Sequence, residues 1–205
     1  MIKYYLLLAV IVLIVIVIKS PWFKGWLGEL EVNLIARFFL DKKTYHIIKN
    51  VTLPVDGGTT QIDHIIVSRF GLFVIETKNI RGWIFGREND PYWTQKIYQH
   101  SEKFQNPLRQ NFKHVKTLSE TLGIPEGEIR SMVVFTGDST FKTPMPQNVT
   151  GPFGFISYIR SYSTAVLTQE MIEQILKSIA EKRLTPGLET HLSHVQNVKR
   201  IKNRF

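Results

Sequence analysis

The pattern of apolar and polar residues begins with a long apolar run. Residues 4–18 contain no charged residue, no Gly and no Pro. As a helix, these fifteen residues would span roughly 22 Å, which is less than a bilayer core of about 30 Å. Ile2 and the long side chains of Lys3 and Lys19 can extend the apolar stretch toward both surfaces. The run predicts an uncleaved N-terminal membrane anchor within residues 1–23.

Two other interpretations of the run stay open. A cleaved signal peptide requires small residues at its cleavage site, and residues 18–22 do not match that pattern. A buried core helix would show a polar face, which the run lacks. On the anchor interpretation, residues 3–20 contact a lipid bilayer, and Trp22 and Phe23 suit its interface.

Positive charge is distributed unevenly around the run. Lys3 and the amino terminus precede it, whereas a larger group of cations follows it. The cations that follow are Lys19, Lys24, Arg37, Lys42 and Lys43. Because segments rich in Lys and Arg tend to stay on the cytoplasmic side, the bias predicts a single-pass protein of the cell membrane with its soluble domain facing the cytoplasm.

Three later segments carry signals of amphipathic helices. Apolar residues recur every three or four positions over residues 27–39, which predicts a helix there. Asn106 and Thr168 are favourable N-caps for two further helices. These two helices are predicted to end at Gly123 and near Lys182.

Strand-forming residues fill most of the chain between these helices. They predict strands at residues 45–48, 62–68, 72–78, 82–86, 92–97 and 129–135. We interpret residues 62–68 and 72–78 as an antiparallel hairpin. The order of helix, sheet, helix, strand and helix predicts one α/β (α+β) domain over residues 24–185, followed by a basic tail over residues 186–205.

The composition favours an anionic partner. The chain has 26 Lys and Arg residues against 17 Asp and Glu residues, which gives a formal net charge of +9. This surplus suits nucleic acid or an acidic lipid surface and does not distinguish between them. In the tail, Lys199, Arg200 and Lys202 are candidates for contacts with nucleic-acid phosphates, although the segment could equally be a solvated end. The sequence has no Cys and no glycine-rich phosphate-binding loop, which excludes thiolate chemistry and argues against a nucleotide cofactor.

Three charged residues interrupt the two strands of the predicted hairpin. Asp63, Glu76 and Lys78 lie among core-type residues, where a charge is costly unless it is paired or bound to a cation. Glu76 and Lys78 share one face because side chains alternate along a strand. If Val67 opposes Leu72, Asp63 opposes Glu76 and lies on that face as well. A regular hairpin with a three-residue loop would turn Asp63 to the other face.

The chemistry of these three side chains suits metal-assisted hydrolysis of a phosphodiester. Two neighbouring carboxylates repel each other, and a divalent cation relieves that repulsion. Mg²⁺ prefers oxygen ligands and often takes one or two carboxylates, so Asp63 and Glu76 are the candidate metal ligands. Lys78 can stabilise the pentavalent phosphorus or position the attacking water. The alternative is an ion pair across two strands that needs no metal.

The order of these residues resembles a known signature. Asp63 followed by Glu76 and Lys78 is similar to the Asp…Glu-x-Lys motif of the restriction-endonuclease-like PD-(D/E)xK superfamily. The surrounding motifs resemble, more narrowly, the nuclease-related (NERD) domain. The matching stretches are residues 28–32, 60–67, 71–79, 82–86, 92–93 and 106–111, so that the resemblance covers roughly residues 24–138.

This resemblance implies a fold, an activity and two further site residues. The fold is a mixed central sheet flanked by helices, and the activity is that of a nuclease dependent on Mg²⁺ (or Mn²⁺), with DNA favoured over RNA. A catalytic Glu on the first helix of the domain corresponds to Glu29, with Glu31 as the alternative, and Gln110 reaches the site from the second helix. The helix dipole favours a Glu in a first helical turn in any case, and Gln110 could instead be a solvated helix residue.

Two non-enzymatic hypotheses stand beside the nuclease. A membrane-tethered module could bind nucleic acid without cutting it, and it would show salt-sensitive binding and no product. A membrane scaffold with a protein partner would not bind nucleic acid at moderate salt. Among the aromatic residues, Trp83, Tyr92 and Trp93 could stack on bases, but core packing is the preferred interpretation. His64 is expected to point away from Asp63 and to have a structural role.

Overall fold

Two mixed β-sheets form the body of the domain in the computed structural model, which describes residues 2–185, 187 and 190. The strands are β1 (Tyr45–Val55), β2 (Gly58–Ser68), β3 (Gly71–Asn79), β4 (Gly82–Phe85), β5 (Tyr92–Ile97), β6 (His100–Gln105), β7 (Ile129–Thr136), β8 (Ser139–Phe141) and β9 (Val149–Thr150). The first sheet has the order β1-β2-β3-β7-β9, and the second has the order β6-β5-β4-β8. The β3–β7, β7–β9 and β4–β8 pairs are parallel, and the other pairs are antiparallel.

The helices begin and end at residues that the sequence marks clearly. They are α1 (Ile2–Lys19), α2 (Pro21–Phe39), α3 (Pro107–Leu122), α4 (Gly154–Ser161) and α5 (Gln169–Lys182), with a 3₁₀ turn at Glu126–Glu128. The side chains of Asn106 and Thr168 accept hydrogen bonds from the first turns of α3 and α5, which confirms both predicted N-caps. Gly123 ends α3 with a φ of 69°, a left-handed conformation that glycine adopts without strain.

Helices cover both faces of the first sheet. On one face, Val74 packs with Leu118 of α3 and Ile175 of α5. On the other face, Phe73 packs with residues of α2 and α4, including Phe155. These side chains are less than a tenth exposed, and each large apolar side chain buried in this way contributes about 1.5–3 kcal/mol. The central strand β3 is therefore buried from both sides, which fixes the position of the residues at its end.

The second sheet follows directly from β3 through the short connection between Asn79 and Gly82. The prediction of a mixed sheet flanked by helices is confirmed, but the strands divide into two sheets instead of one central sheet. Two elements were not predicted from the sequence: β6, whose residues are mostly exposed and polar, and the short helix α4. An edge strand held by pairing with its neighbour carries little periodic hydrophobic signal, which explains the first omission.

The apolar N-terminal run forms α1, and its side chains are exposed over residues 3–19. Within residues 2–185, 187 and 190, no single helix combines the length and hydropathy of a membrane span. The helices Lys3–Lys19 and Pro21–Phe39 meet that test together, with a bend of 61° between them. The membrane anchor therefore stays a prediction.

Candidate active site

The register of the β2–β3 hairpin decides on which face Asp63 lies. Val67 pairs with Leu72, and a two-residue loop joins the strands. The register is therefore the one that brings Asp63 toward Glu76, and these two residues lie one position beyond the last pair, His64 and Ile75. The three-residue loop that would have turned the aspartate away is not formed.

Asp63 lies where the pairing of β2 with β3 ends. The ladder stops at His64 and Ile75. Just beyond it, Asp63 Oδ2 accepts a hydrogen bond of 2.8 Å from the backbone N–H of Thr77. This bond holds the carboxylate against β3. Burial raises the pKa of Asp63, and the nearby Glu76 carboxylate raises it further.

Glu76 and Lys78 form an ion pair on the face of β3 that packs against α3. Glu76 is 3 % exposed, and its Oε1 accepts a hydrogen bond from Lys78 Nζ. Burial by itself would raise the pKa of Glu76, but the Lys78 ammonium and a hydrogen bond from His114 lower it. Burial by itself would lower the pKa of Lys78, but the Glu76 carboxylate raises it. Both groups are therefore held in their charged forms at neutral pH.

His114 of α3 is a partner of Glu76 that was not predicted from the sequence. Its Nε2 lies 3.2 Å from Glu76 Oε2, and its Nδ1 lies 2.8 Å from Thr60 Oγ1. An ionised carboxylate only accepts hydrogen bonds, so Nε2 donates to Glu76, and Nδ1 forms a second hydrogen bond with the Thr60 hydroxyl. The signal in the sequence was the four-residue spacing of Gln110 and His114, which places both on one face of a helix.

Two buried asparagines position α3 over the site. Asn106 donates to three backbone carbonyls of the β4–β5 loop while it caps the helix. Asn111 Nδ2 donates to the carbonyls of Val74 and Met132, which ties α3 to β3 and β7. Both side chains are fully buried. The neighbouring Gln110 is thereby placed over the end of β3.

Gln110 contacts the charged cluster directly. Its Oε1 accepts a hydrogen bond of 2.9 Å from Lys78 Nζ. Gln110 also lines the same cavity as Asp63. Gln110 is thus a partly exposed helix residue that also contacts Lys78, and its catalytic role stays a prediction.

Gly28 allows α2 to approach the sheet closely. A Cβ atom at this position would lie 2.5 Å from Thr136 Oγ1 and 2.8 Å from Asn79 Cβ. The helix backbone therefore packs directly on β7 and β3, which only a residue without a side chain permits. The next residue, Glu29, lines the cavity at Asp63. The Gly-Glu pair in the sequence thus has a packing reason, and it brings a third carboxylate to the cluster.

We expect Gly28→Ala to destabilise the protein by about 1–3 kcal/mol, because the added methyl group has to displace α2 from the sheet. This corresponds to a decrease in Tm of roughly 2–12 °C for a chain of this length. Gly25→Ala on the same helix is the matched control, since no atom lies within 4 Å of its Cβ position. Thermal unfolding followed by circular dichroism measures both variants, and an equal loss in the two would contradict the packing argument.

The carboxylates of Glu29 and Asp63 occupy a negatively charged environment. Burial and the Glu76 carboxylate raise the pKa of Glu29 from 4.5 to about 7. Burial raises the pKa of Asp63 well above its usual range, and the Glu76 and Glu29 carboxylates add to that shift. Without a compensating cation, these two carboxyl groups therefore keep their protons to a higher pH than a free Glu or Asp does.

The raised pKa of Glu29 predicts that the effect of Glu29→Gln depends on pH. When the folded-state pKa is above the unfolded value, the folded protein binds more protons, so the contribution of Glu29 to stability falls as the pH rises from 4.5 to about 7. Glutamine does not titrate. The Tm of Glu29→Gln minus that of the wild type should therefore increase between about pH 5 and about pH 8 in the absence of divalent cations. A difference that stays constant across this range would be evidence against a half-buried Glu29 whose pKa is raised by the Glu76 carboxylate.

The oxygen donors at this site fit a hard divalent cation. Burial and the Glu76 carboxylate raise the pKa of both Glu29 and Asp63, and a bound divalent cation would relieve the repulsion among these carboxylates. A cavity of about 480 Å³ is lined by Glu29, Asp63 and Gln110, among other residues. Within the described residues, no group of three or more His, Asp or Glu side chains is already arranged as a metal site. Mg²⁺ commonly takes only one or two carboxylates and completes its shell with waters, so the residues present are sufficient.

Two other predictions for charged residues have different outcomes. The candidate phosphate contacts Lys199, Arg200 and Lys202 lie outside the described residues. His64 is 1 % exposed, and burial together with the nearby Lys49 lowers its pKa to about 4. A neutral, buried histidine agrees with the predicted structural role.

The aromatic residues divide into a buried group and an exposed group. Trp93 is fully buried, which confirms its predicted core packing. Trp83 and Tyr92 are 48 % and 60 % exposed, so the prediction of core packing is wrong for both. Alternation along β4 and β5 explains the difference, because their side chains point to the two faces of a sheet of which one is buried.

Comparison with known proteins identifies the family. Residues 24–136, more than half of the chain, match the nuclease-related domain family. A Bacillus anthracis protein described as uncharacterized is 34 % identical over 212 residues, which cover 98 % of this chain and 95 % of that protein. Among solved structures, Pyrococcus furiosus SfsA in complex with Ca²⁺ matches 74 % of this chain at 16 % identity with a TM-score of 0.26, and the match spans about half (52 %) of SfsA. That structural likeness is too weak to support a conclusion. From its sequence match and its relative of nearly equal length, the chain belongs to the nuclease-related domain (NERD) family.

Proposed function

We propose that this protein is a nuclease that hydrolyses phosphodiester bonds of nucleic acid, with Mg²⁺ (or Mn²⁺) as its cofactor. The observation that carries the proposal is the meeting of Asp63, Glu76 and Lys78 at the end of β3, where Asp63 lines a cavity, in a chain of the NERD family. The family match supports a nuclease-related function. The metal, the catalytic roles and the preference for DNA over RNA are parts of the proposal.

Each residue of the cluster has a role that follows from its position. Asp63 and Glu76 would hold the metal ion, with Glu29 as a further acidic contributor. A bound Mg²⁺ ion would activate a water and neutralise charge on the scissile phosphate. Lys78, kept charged by Glu76 and oriented by Gln110, would stabilise the negative charge that builds up on the phosphate.

Glu76 is in turn positioned by His114. The imidazole donates to Glu76 Oε2 and is itself held by Thr60. A hydrogen bond of this kind fixes the orientation of a ligand carboxylate and tunes its affinity for a metal ion. His114 is therefore a positioning residue in the proposed site, because it acts through Glu76.

The protein is also proposed to be anchored in the cell membrane by residues 3–20, with the domain facing the cytoplasm. The apolar side chains of α1 are exposed, an arrangement that is unfavourable in water and favourable in hydrocarbon. The cations after α1 support the orientation. The net charge of +9 suits an interaction with the phosphate backbone, to which Lys199, Arg200 and Lys202 of the tail could contribute.

A cleavage assay on the full chain in detergent micelles tests the proposed activity. Plasmid, linear duplex and single-stranded DNA, together with RNA of matched length, are incubated with Mg²⁺, with Mn²⁺ or with EDTA. We expect product with either metal and none with EDTA. Absence of product from every substrate with both metals, or equal product in EDTA, would contradict a metal-dependent nuclease.

The second candidate function is a membrane-tethered module that binds nucleic acid without cutting it. The observation in its favour is that both oxygens of Glu76 already have partners, Lys78 and His114, so the ion pair is complete without a metal. This candidate predicts binding that weakens steeply with salt and no product with any divalent metal. The same assay distinguishes the two functions.

A further inference from the structure

The second sheet has one buried face and one face open to solvent. On the buried face, Ile84 and Trp93 are fully buried in the core between the sheets. On the open face, Trp83 pairs with Lys96 on one neighbouring strand and with Thr140 on the other. Directly paired residues point to the same side of a sheet, so these three side chains lie next to one another.

Two large aromatic rings are exposed on this side of the protein. Trp83 is 48 % exposed, and Tyr98, in the turn between β5 and β6, is 93 % exposed. Both line a cavity of about 440 Å³. Burial of an aromatic ring is strongly favourable. Exposure of two rings around one cavity therefore leaves apolar ring surface that a ligand can cover.

Positive charge surrounds the two rings. Arg81 and Lys96 line the same cavity, and Lys142 Nζ lies 4.6 Å from the centroid of the Trp83 ring. The carboxylate of Asp138 also lines the cavity. We call this set of Arg81, Trp83, Lys96, Tyr98 and Lys142 the Trp83 surface. Its three cations exceed the single carboxylate at its edge, so its charge complements an anionic ligand.

The Trp83 surface begins where the catalytic strand ends. Arg81 follows Lys78 by three residues, so their Cα atoms are at most about 11 Å apart. The connection is fixed by a hydrogen bond of 2.7 Å from Gln95 Nε2 to the Arg81 carbonyl and by another of 2.7 Å from Gly82 N–H to the Asp138 carbonyl. The Trp83 surface is therefore held in a fixed position, one short connection away from the strand that carries Glu76 and Lys78.

We propose that the Trp83 surface binds single-stranded nucleic acid beside the cleavage site, with bases stacked on Trp83 and Tyr98 and phosphates held by Arg81 and Lys96. The inference rests on the proposed nuclease function for the nature of the ligand. A base presents its flat face to a side chain only when it is not enclosed in a duplex, so the rings select single strands. Every base has such a face, and little sequence preference is expected.

Binding without metal tests this inference independently of cleavage. The affinity of the full chain in detergent micelles is measured in EDTA by fluorescence anisotropy, with a labelled single strand of mixed sequence and with its duplex. We expect Trp83→Ala to weaken single-strand binding roughly 5- to 100-fold, the effect of losing one stacked base, and to change duplex binding less than about twofold. Trp83→Phe should retain most of the single-strand affinity, because a ring remains.

Two further variants remove ambiguity about folding. Tyr98→Asn removes the other ring, and asparagine suits the φ of 51° at this position. It is expected to weaken single-strand binding in the same direction. Phe153→Ala is the matched control, because Phe153 is an exposed aromatic residue (65 %) that contacts Phe39 of α2 instead of the second sheet. It should leave single-strand affinity unchanged.

Several results would contradict the binding of single strands by the Trp83 surface. Unchanged single-strand affinity in both Trp83→Ala and Tyr98→Asn would overturn it, as would equal losses for single strand and duplex. Failure of the wild-type protein to bind any single strand would overturn it as well. That result would favour a protein or a lipid as the ligand of the Trp83 surface. A wild-type protein that binds single strands through Trp83 but never cuts them would contradict the proposed nuclease function alone.

Discussion

Glu76→Gln is expected to reduce metal-dependent cleavage at least about 100-fold, the loss seen when a group that stabilises transition-state charge is removed. The amide keeps the shape of the side chain but lacks the negative charge that faces Lys78 and that a Mg²⁺ ion requires. It also cannot accept the His114 hydrogen bond as strongly as a carboxylate does. The rate of cleavage at saturating substrate and Mg²⁺ measures the effect.

Controls for this variant separate chemistry from folding. Glu120→Gln removes an exposed glutamate from α3 and should cleave at the wild-type rate. Lys78 keeps Gln110 as a hydrogen-bond partner when Glu76 is changed, so the far-ultraviolet circular dichroism of Glu76→Gln should match that of the wild type. Cleavage by Glu76→Gln within about twofold of the wild-type rate would remove Glu76 from the catalytic site.

Trp93→Ala is expected to destabilise the protein by about 3–5 kcal/mol, the usual cost of replacing a buried Trp by Ala. The indole is fully buried, stacks on Phe135 at a centroid distance of 6.0 Å, and donates from Nε1 to the Arg87 carbonyl over 2.9 Å. It also packs so tightly on Gly86 that a Cβ atom there would lie 2.3 Å from the ring. The truncation would leave a cavity between the two sheets. Thermal unfolding should show a decrease in Tm of roughly 6–20 °C.

Tyr92→Ala is the matched control for the buried tryptophan. Tyr92 precedes Trp93 on the same strand but is 60 % exposed, because its side chain points to the opposite face. Its replacement should cost no more than about 1 kcal/mol, the range of strand propensities. Similar decreases in Tm for the two variants would show that Trp93 does not join the two sheets in the way described.

The hairpin could be predicted from the sequence because local patterns determine it, whereas its register depended on the length of the loop. The apolar runs on both sides of Arg69 and Phe70 match the two paired strands, and the only choice left open was the length of the loop. Charged side chains such as Asp63 and Glu76 are costly in apolar strands, which indicated that they are paired or bound to a cation. These two signals together predicted the cluster, and the structure places Asp63 and Glu76 side by side.

Contacts that depend on tertiary packing could not be predicted in the same way. The contact of His114 with Glu76 requires α3 to pack at one particular position along β3. Asn111 fixes that position by donating hydrogen bonds to carbonyls of two strands. No local sequence pattern encodes the position of α3 along the strand. The exposure of Trp83 likewise depends on which face of the second sheet is covered, and a short strand with apolar residues on both faces does not decide this.

We expect Asp63 and Glu76 together to hold one divalent cation, and a titration with Mn²⁺ measures that binding. Electron paramagnetic resonance measures free Mn²⁺ as it is added to the full chain in detergent micelles. We expect saturable binding that Mg²⁺ displaces and that is at least about 10-fold weaker in Asp63→Asn, whereas Glu120→Gln should bind like the wild type. Absence of saturable binding, or equal affinity in Asp63→Asn and the wild type, would contradict it.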